Sequence, residues 1–222
     1  MCGRFTRKEN MKHIAELLGL PIPPALAPRY NIAPSQLVAC VRTNPDTSER
    51  EWVELKWGLV PSWAKDPSVG HKLINARGET VDEKPSFRKA FKQQRCLILA
   101  DGFYEWKREG KTKQPYYISL KDNRPFAFAG LWERWEKEDP AIESCSLITI
   151  HANNLMEPIH HRMPVILPEQ VYASWLDPKL KNTVYLSGLL EPYKAEEMDA
   201  YPVSTMVNNP RNDLPECMAP LL

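Results

Sequence analysis

Long apolar runs are missing from this chain of 222 residues. A membrane-spanning helix needs about 20 consecutive apolar residues, so no such span is expected. The opening residues include Arg4, Arg7 and Lys8 and lack the apolar core of a signal peptide. Paired cysteines are missing too. Cys2, Cys40, Cys96, Cys145 and Cys217 are scattered, odd in number and never spaced C-x-x-C, which argues against a disulfide framework or a zinc site. A cytosolic protein with reduced thiols is expected. An excess of one charge is also missing. The net charge of +1 gives no global signature of nucleic-acid binding. No internal repeat, low-complexity tract or regular βαβ alternation is present.

What is present is mostly strand-like. The runs Gln36–Thr43, Glu51–Val60, Arg95–Trp106, Tyr116–Leu120, Phe126–Trp132 and Ser144–His151 are rich in β-branched and aromatic residues. Val165–Leu167 reads as a short strand, and a polar turn falls at Asn44–Asp46. Residues 134–143 read as a hairpin loop. Helices are few and short. Thr6 and Glu9 have capping-box spacing ahead of Met11, Ile14, Ala15 and Leu18, with Gly19 and Pro21 as the stop. Ser86 opens a helix carrying Phe87, Ala90 and Phe91 on one side. Asn154–His161 reads as one helical turn, and Glu169–Leu176 as a helix after Pro168. Proline, at 21 residues, is about twice its usual share and falls between elements, notably in the irregular stretch 21–34. The pattern predicts one α+β domain over 1–222, with mainly antiparallel sheets in a barrel-like core and short surrounding helices.

Several places carry more chemistry than a core requires. Removal of Met1 would leave Cys2 with a free α-amine beside its thiol. Such an amine attacks an aldehyde to give a Schiff base. The thiol then reaches the same carbon and closes a five-membered thiazolidine, quickly because both nucleophiles sit on one residue. As a plain residue, Cys2 packs as a small apolar group. In the polar run Asn75-Ala76-Arg77-Gly78-Glu79-Thr80, Asn75 donates and accepts hydrogen bonds and Arg77 suits a phosphate, while a capped turn with a surface salt bridge is the plain reading. In Asp101-Gly102-Phe103-Tyr104-Glu105-Trp106, Glu105 lies between aromatics. Poor hydration there suits a carboxylate to acid–base work, whereas plain alternation puts it on a wet face. In Ile159-His160-His161-Arg162-Met163-Pro164, a histidine titrates near neutrality beside an anion-holding arginine. On a strand the two histidines would point opposite ways. Residues 84–113 hold nine basic against three acidic side chains, a net +6 compatible with phosphate contact or with an ordinary solvated surface.

Met1-Cys2-Gly3-Arg4-Phe5, Arg29-Tyr30-Asn31-Ile32-Ala33-Pro34, Trp57-Gly58-Leu59-Val60-Pro61-Ser62-Trp63 and the three motifs above together resemble the SOS response-associated peptidase (SRAP) family. That family includes the abasic-site processing proteins of bacteria and eukaryotes. The resemblance runs from Met1 to about Asn209. It implies recognition of abasic sites in single-stranded DNA, including junctions with duplex, and covalent capture through Cys2. It implies that Asn75 positions the amine or sugar, Glu105 shuttles protons and His160 assists sugar ring opening. It makes Arg4, Arg77 and Arg162 candidates for backbone phosphates and Trp106 for stacking. A thiol autopeptidase that removes Met1, and an abasic-site lyase, belong to the same expectation. No metal or cofactor is expected; a monomer in the cytoplasm, at the nucleoid when acting on DNA, is. His161 stands where relatives often carry an acidic residue. Two other classes stay open: a cysteine hydrolase acting in trans through Cys2 and His160, and a non-catalytic reader of modified DNA.

Overall fold

The computed structural model describes residues 2–21 and 26–221. Met1, expected to be removed, lies outside the described residues, as does the 22–25 part of the proline-rich stretch. In chain order the elements are β1 (Arg4–Arg7), α1 (Lys12–Leu18), β2 (Arg29–Ile32), β3 (Leu37–Thr43), β4 (Arg50–Trp57), β5 (Asn75–Arg77), α2 (Arg88–Gln93), β6 (Arg95–Ala100), β7 (Gly102–Glu109), β8 (Thr112–Leu120), β9 (Phe126–Trp135), β10 (Ile142–His151), β11 (Arg162–Pro164), β12 (Ile166–Leu167), α3 (Tyr172–Leu176), α4 (Thr183–Gly188) and β13 (Met198–Pro202). The expected α+β class, strand-rich with short helices, is what the chain forms.

Two sheets make the body. One is antiparallel throughout, in the order β13-β8-β7-β1-β2. The other runs β11-β10-β4-β3-β6-β9-β12 and closes on itself, because β10 also pairs with β9. Its closing joint, β4 with β10, is parallel, as is the pairing of β5 with β10. Closure removes the free edges of those strands and leaves an interior filled by side chains. Val38, Cys40, Cys96, Ile98, Phe128 and Leu147 are buried on the inner face. Val41, Leu97 and Leu99 are buried on the outer face, where α2 and α3 pack on β6, and burial on both faces is why β6 reads as an unbroken apolar run rather than an alternating one.

The predicted strand Arg95–Trp106 is two strands in different sheets. β6 belongs to the barrel and β7 to the five-stranded sheet, with Asp101 at the corner. Gly102 follows because a Cβ there would lie 2.1 Å from the Tyr117 hydroxyl oxygen. The capping box at Thr6 and Glu9 is not formed. Thr6 lies in β1 and α1 begins only at Lys12, with no side-chain cap at Met11. Asp101 takes the partners instead: its carboxylate accepts from the Thr6 hydroxyl at 2.5 Å and from the amides of Lys8 and Glu9 at 2.5 and 2.8 Å. Hydrogen bonding inside a strand corner has overridden a local helix signal.

Residues 134–143 do form the turn of a hairpin, with Trp135 paired to Ile142. The segment before β11 makes two helix-type bonds without becoming a helix. The amide of Glu157 donates to the Asn153 carbonyl at 2.9 Å, and that of His160 to the Met156 carbonyl at 2.8 Å. β1, β2, β5 and β13 have no counterpart in the sequence reading. Each is three to five residues long, too short for alternation to register.

Candidate functional site around Cys2

The site begins with β1. Phe5 inserts into the barrel, its ring centroid 5.1 Å from that of Trp57 and 5.7 Å from that of Phe128. Burying this ring anchors the residues just ahead of it. Cys2 is 0% exposed. Arg4 pairs with Tyr104 across the antiparallel joint with β7, which carries the preceding residues toward Glu105. From the other sheet, the Asn75 amide nitrogen on β5 donates to the Cys2 carbonyl at 2.8 Å. Residue 2 is therefore held between both sheets. The side-chain oxygen of Asn75 is buried with no hydrogen-bond partner among the described residues.

Glu105 on β7 is buried at 3% exposure, so it is not on a wet face. Burial, and then the charge of Glu105, push the Cys2 thiol well above its ordinary pKa. The resting thiol is protonated. His160 is half-buried, and burial holds it below the usual histidine range. Its Nδ1 lies 3.0 Å from the Arg162 backbone amide and 3.2 Å from the Arg162 carbonyl, so either tautomer of the neutral ring finds a partner there. Its ring stacks on His161 at 4.4 Å and 25°. The two histidines do not point apart, because they lie in the turn before β11 and not in a strand. A cleft of about 420 Å³ is lined by Glu105, Trp106, Arg108, Lys113, His160 and Asn208.

The four residues expected to touch DNA are placed differently. Arg77 is exposed at the end of β5. Arg162 forms a two-pronged ion pair with Glu79, and its guanidinium also donates to the Thr149 carbonyl at 2.6 Å. Arg4 is turned onto the protein. It donates to Asn31 Oδ1 at 2.7 Å and to the carbonyls of Val207 and Asn208 at 2.6 and 3.2 Å. Trp106 is half-buried, and its indole N–H donates to Asn208 Oδ1 at 2.7 Å.

Asn31 and Glu79 stand inside the sequence motifs without an assigned role, and Asn208 stands in none of them. Asn31 is buried and its amide donates to the carbonyls of Val207, Asn209 and Asn212, tying the C-terminal segment to β2. The only signal was its place inside the Arg29–Pro34 motif.

A closed β-barrel that presents a buried residue-2 cysteine beside an asparagine amide, a buried glutamate and a histidine defines an N-terminal cysteine site. The chain belongs to the SOS response associated peptidase (SRAP) family, whose profile matches residues 1–210. It is 48% identical over 221 residues to the abasic site processing protein YoqW of Bacillus subtilis (strain 168), covering 97% of this chain and 98% of that one. It is 38% identical over 206 residues to the abasic site processing protein HMCES of Gallus gallus, covering 82% of this chain and 61% of that one. A crystal structure of a protein from Bacteroides thetaiotaomicron superimposes with a TM-score of 0.85 at 28% identity, covering 100% of both chains. Among the described residues, no helix is long and apolar enough to cross a membrane.

Proposed function

We propose that this protein processes abasic sites in single-stranded DNA, including at junctions with duplex, by capturing them covalently on Cys2 after Met1 is removed. The family and the names of the relatives support the substrate. One observation carries the chemistry: Asn75 holds the residue-2 carbonyl with its nitrogen while its buried oxygen has no donor among the described residues. A free α-amine on Cys2 supplies such a donor beside it. A buried acceptor without a partner costs about 1–3 kcal/mol, so satisfying it favours the amine in place.

The steps balance without a co-reactant. The amine attacks the aldehyde carbon of the ring-opened deoxyribose, and the carbinolamine loses one water to give an imine. The Cys2 sulfur then adds to that carbon while its proton passes to nitrogen, closing the thiazolidine. Glu105 carries the protons of dehydration and closure. His160 acts at the sugar oxygen during ring opening. Arg4, Arg77 and Arg162 serve the phosphates and Trp106 a base, the usual way to hold a single strand without reading its sequence. Removal of Met1 by the thiol itself, and strand scission after capture, belong to this reading as further activities of the same site.

A hydrolase acting in trans needs a ready thiolate for every substrate it meets, whereas removal of Met1 happens once and needs only a base to take the thiol proton as the sulfur attacks. The burial and neighbouring carboxylate that hold the Cys2 thiol protonated weigh against that class. The test is incubation with an abasic single-stranded oligonucleotide, then denaturing electrophoresis and intact-mass measurement. The expected product is protein lacking Met1 plus DNA minus one water. Equal cross-linking by a Met1-retaining or amine-acetylated sample rejects the mechanism, and no cross-link at all rejects the function.

A further inference from the structure

The nine basic side chains between residues 84 and 113 do not form one face. Arg95 is buried and spends its guanidinium on the carbonyls of Phe91, Trp175, Asp177 and Leu180. Lys84, Arg88, Lys89 and Lys92 are exposed on and just ahead of α2, which packs on β6 and β9 of the barrel. Lys107 pairs with Glu109 at 3.1 Å. Lys111 stands at the turn between β7 and β8. Only Arg108 and Lys113 line the cleft that holds Glu105 and His160.

These two are directly opposite one another across the antiparallel β7–β8 pair. Like charges in that position lower stability. Neither forms an ion pair with a carboxylate among the described residues. Two exposed cations set side by side, at a cost, on the wall of a cleft make a place for an anion. Arg108 also shares a face of β7 with Trp106, two residues away. Trp106 is held in turn by Asn208, and because an indole N–H only donates, the amide oxygen is the atom that faces it. Arg108 is three residues beyond Glu105, about 10 Å along the strand at about 3.3 Å per residue. That is too far for the sugar captured at Cys2, and it suits a neighbouring nucleotide.

We propose that Arg108 and Lys113 form a second phosphate subsite, which takes the phosphodiester of a nucleotide flanking the lesion while its base lies on Trp106. This rests on the abasic-site reading above and adds to it where one flank of the strand runs.

The experiment compares Arg108→Gln/Lys113→Gln with Lys84→Gln/Lys92→Gln, which removes the same charge on the α2 side. Binding is measured across a salt series with single-stranded DNA carrying tetrahydrofuran, an abasic analogue without an aldehyde. Each single-strand phosphate contact contributes about 0.7 to the log–log salt slope. The cleft pair, which shares one phosphate, should lower the slope by about 0.7 and the α2 pair should leave it unchanged. With oligonucleotides that extend on only one side of the analogue, the defect should appear for one polarity alone. The thermal midpoint of the cleft variant should hold or rise, since a repulsion is removed. A wild-type slope in the cleft variant, an equal drop in the α2 variant, or equal defects for both polarities overturns the subsite. Failure of the wild-type protein to bind the analogue rejects the function itself, a different result.

Discussion

The amide nitrogen of Asn75, on the barrel side, donates 2.8 Å to the carbonyl of Cys2, which enters from the five-stranded sheet. This bond crosses between the two sheets and sets where residue 2 stops. Asn75→Ala removes the donor and leaves the Cys2 carbonyl without it. A hydrogen bond of this kind contributes about 0.5–1.5 kcal/mol net, so the single-turnover cross-linking rate should fall by roughly 10-fold. Asn75→Asp sets an acceptor against that carbonyl and should fall further. A wild-type rate in both variants would show that the bond has no part in the reaction.

Glu105→Gln separates two effects of one carboxylate. As a proton carrier, Glu105 should contribute about 10²–10⁴-fold, and cross-linking should slow by that order while DNA affinity holds. As a negative charge, it is the second cause, after burial, of the raised Cys2 thiol pKa. The Gln variant should therefore have a lower Cys2 pKa, though still above the ordinary thiol range because burial remains. Iodoacetamide rates against pH, read at Cys2 by peptide mass, check this. A thiol that is no easier to ionise would show that Glu105 does not act on it.

His160 gives a pH test with a defined sign. Burial lowers its pKa, so the neutral ring persists below the usual value of about 6.5. The ratio of wild-type to His160→Ala cross-linking rates, in which the titration of the Cys2 α-amine cancels, should stay level from pH 8 down to about 6.5 and fall only below that. An inflection at or above that value contradicts the assignment. His160→Ala should slow reaction with the closed-ring abasic site far more than reaction with a simple open-chain aldehyde. Equal defects on both would leave His160 without a role at the sugar oxygen.

Asp101 is a prediction about stability. The Asp101 side chain serves Thr6, Lys8 and Glu9 at the strand corner, and each such hydrogen bond contributes about 0.5–1.5 kcal/mol net. Asp101→Ala should lower unfolding free energy by at least that much in urea titration. Asp101→Asn keeps an oxygen for the amides and an NH₂ for the Thr6 hydroxyl, and should cost less. Burial raises the Asp101 pKa in the folded protein. Its contribution is therefore full below the unfolded carboxylate value and declines as pH rises through the folded one. That decline should vanish in Asp101→Asn. Equal losses in the two variants would show that packing, not hydrogen bonding, is what Asp101 supplies.

Strands long enough to alternate or to run apolar were legible: β3, β4, β9 and β10 lie within two or three residues of where the pattern puts them. What escaped was set by distant partners. β1 is a four-residue strand with an arginine at each end, made a strand by β7 and β2. β5 is three residues of polar sequence held by β10. Closure through the parallel β4–β10 joint leaves no local trace. The site residues were legible as motifs because their chemistry is conspicuous. Their support was not: nothing near Arg162 in sequence announces Glu79, and nothing near Trp106 announces Asn208.

β1 is an inner strand of its sheet, although it comes first in the chain. Tyr104, the partner of Arg4, is synthesised about 5–20 s later at about 5–20 residues per second. Asn75 also comes long after Cys2. Until both are made the two walls of the Cys2 site are not in place, and residue 2 is open to solvent. After β7 docks, Cys2 is closed to all but its own neighbours. The order of manufacture thus leaves the burial of residue 2 to a late stage, after segments about 75 and 100 residues further on have been made.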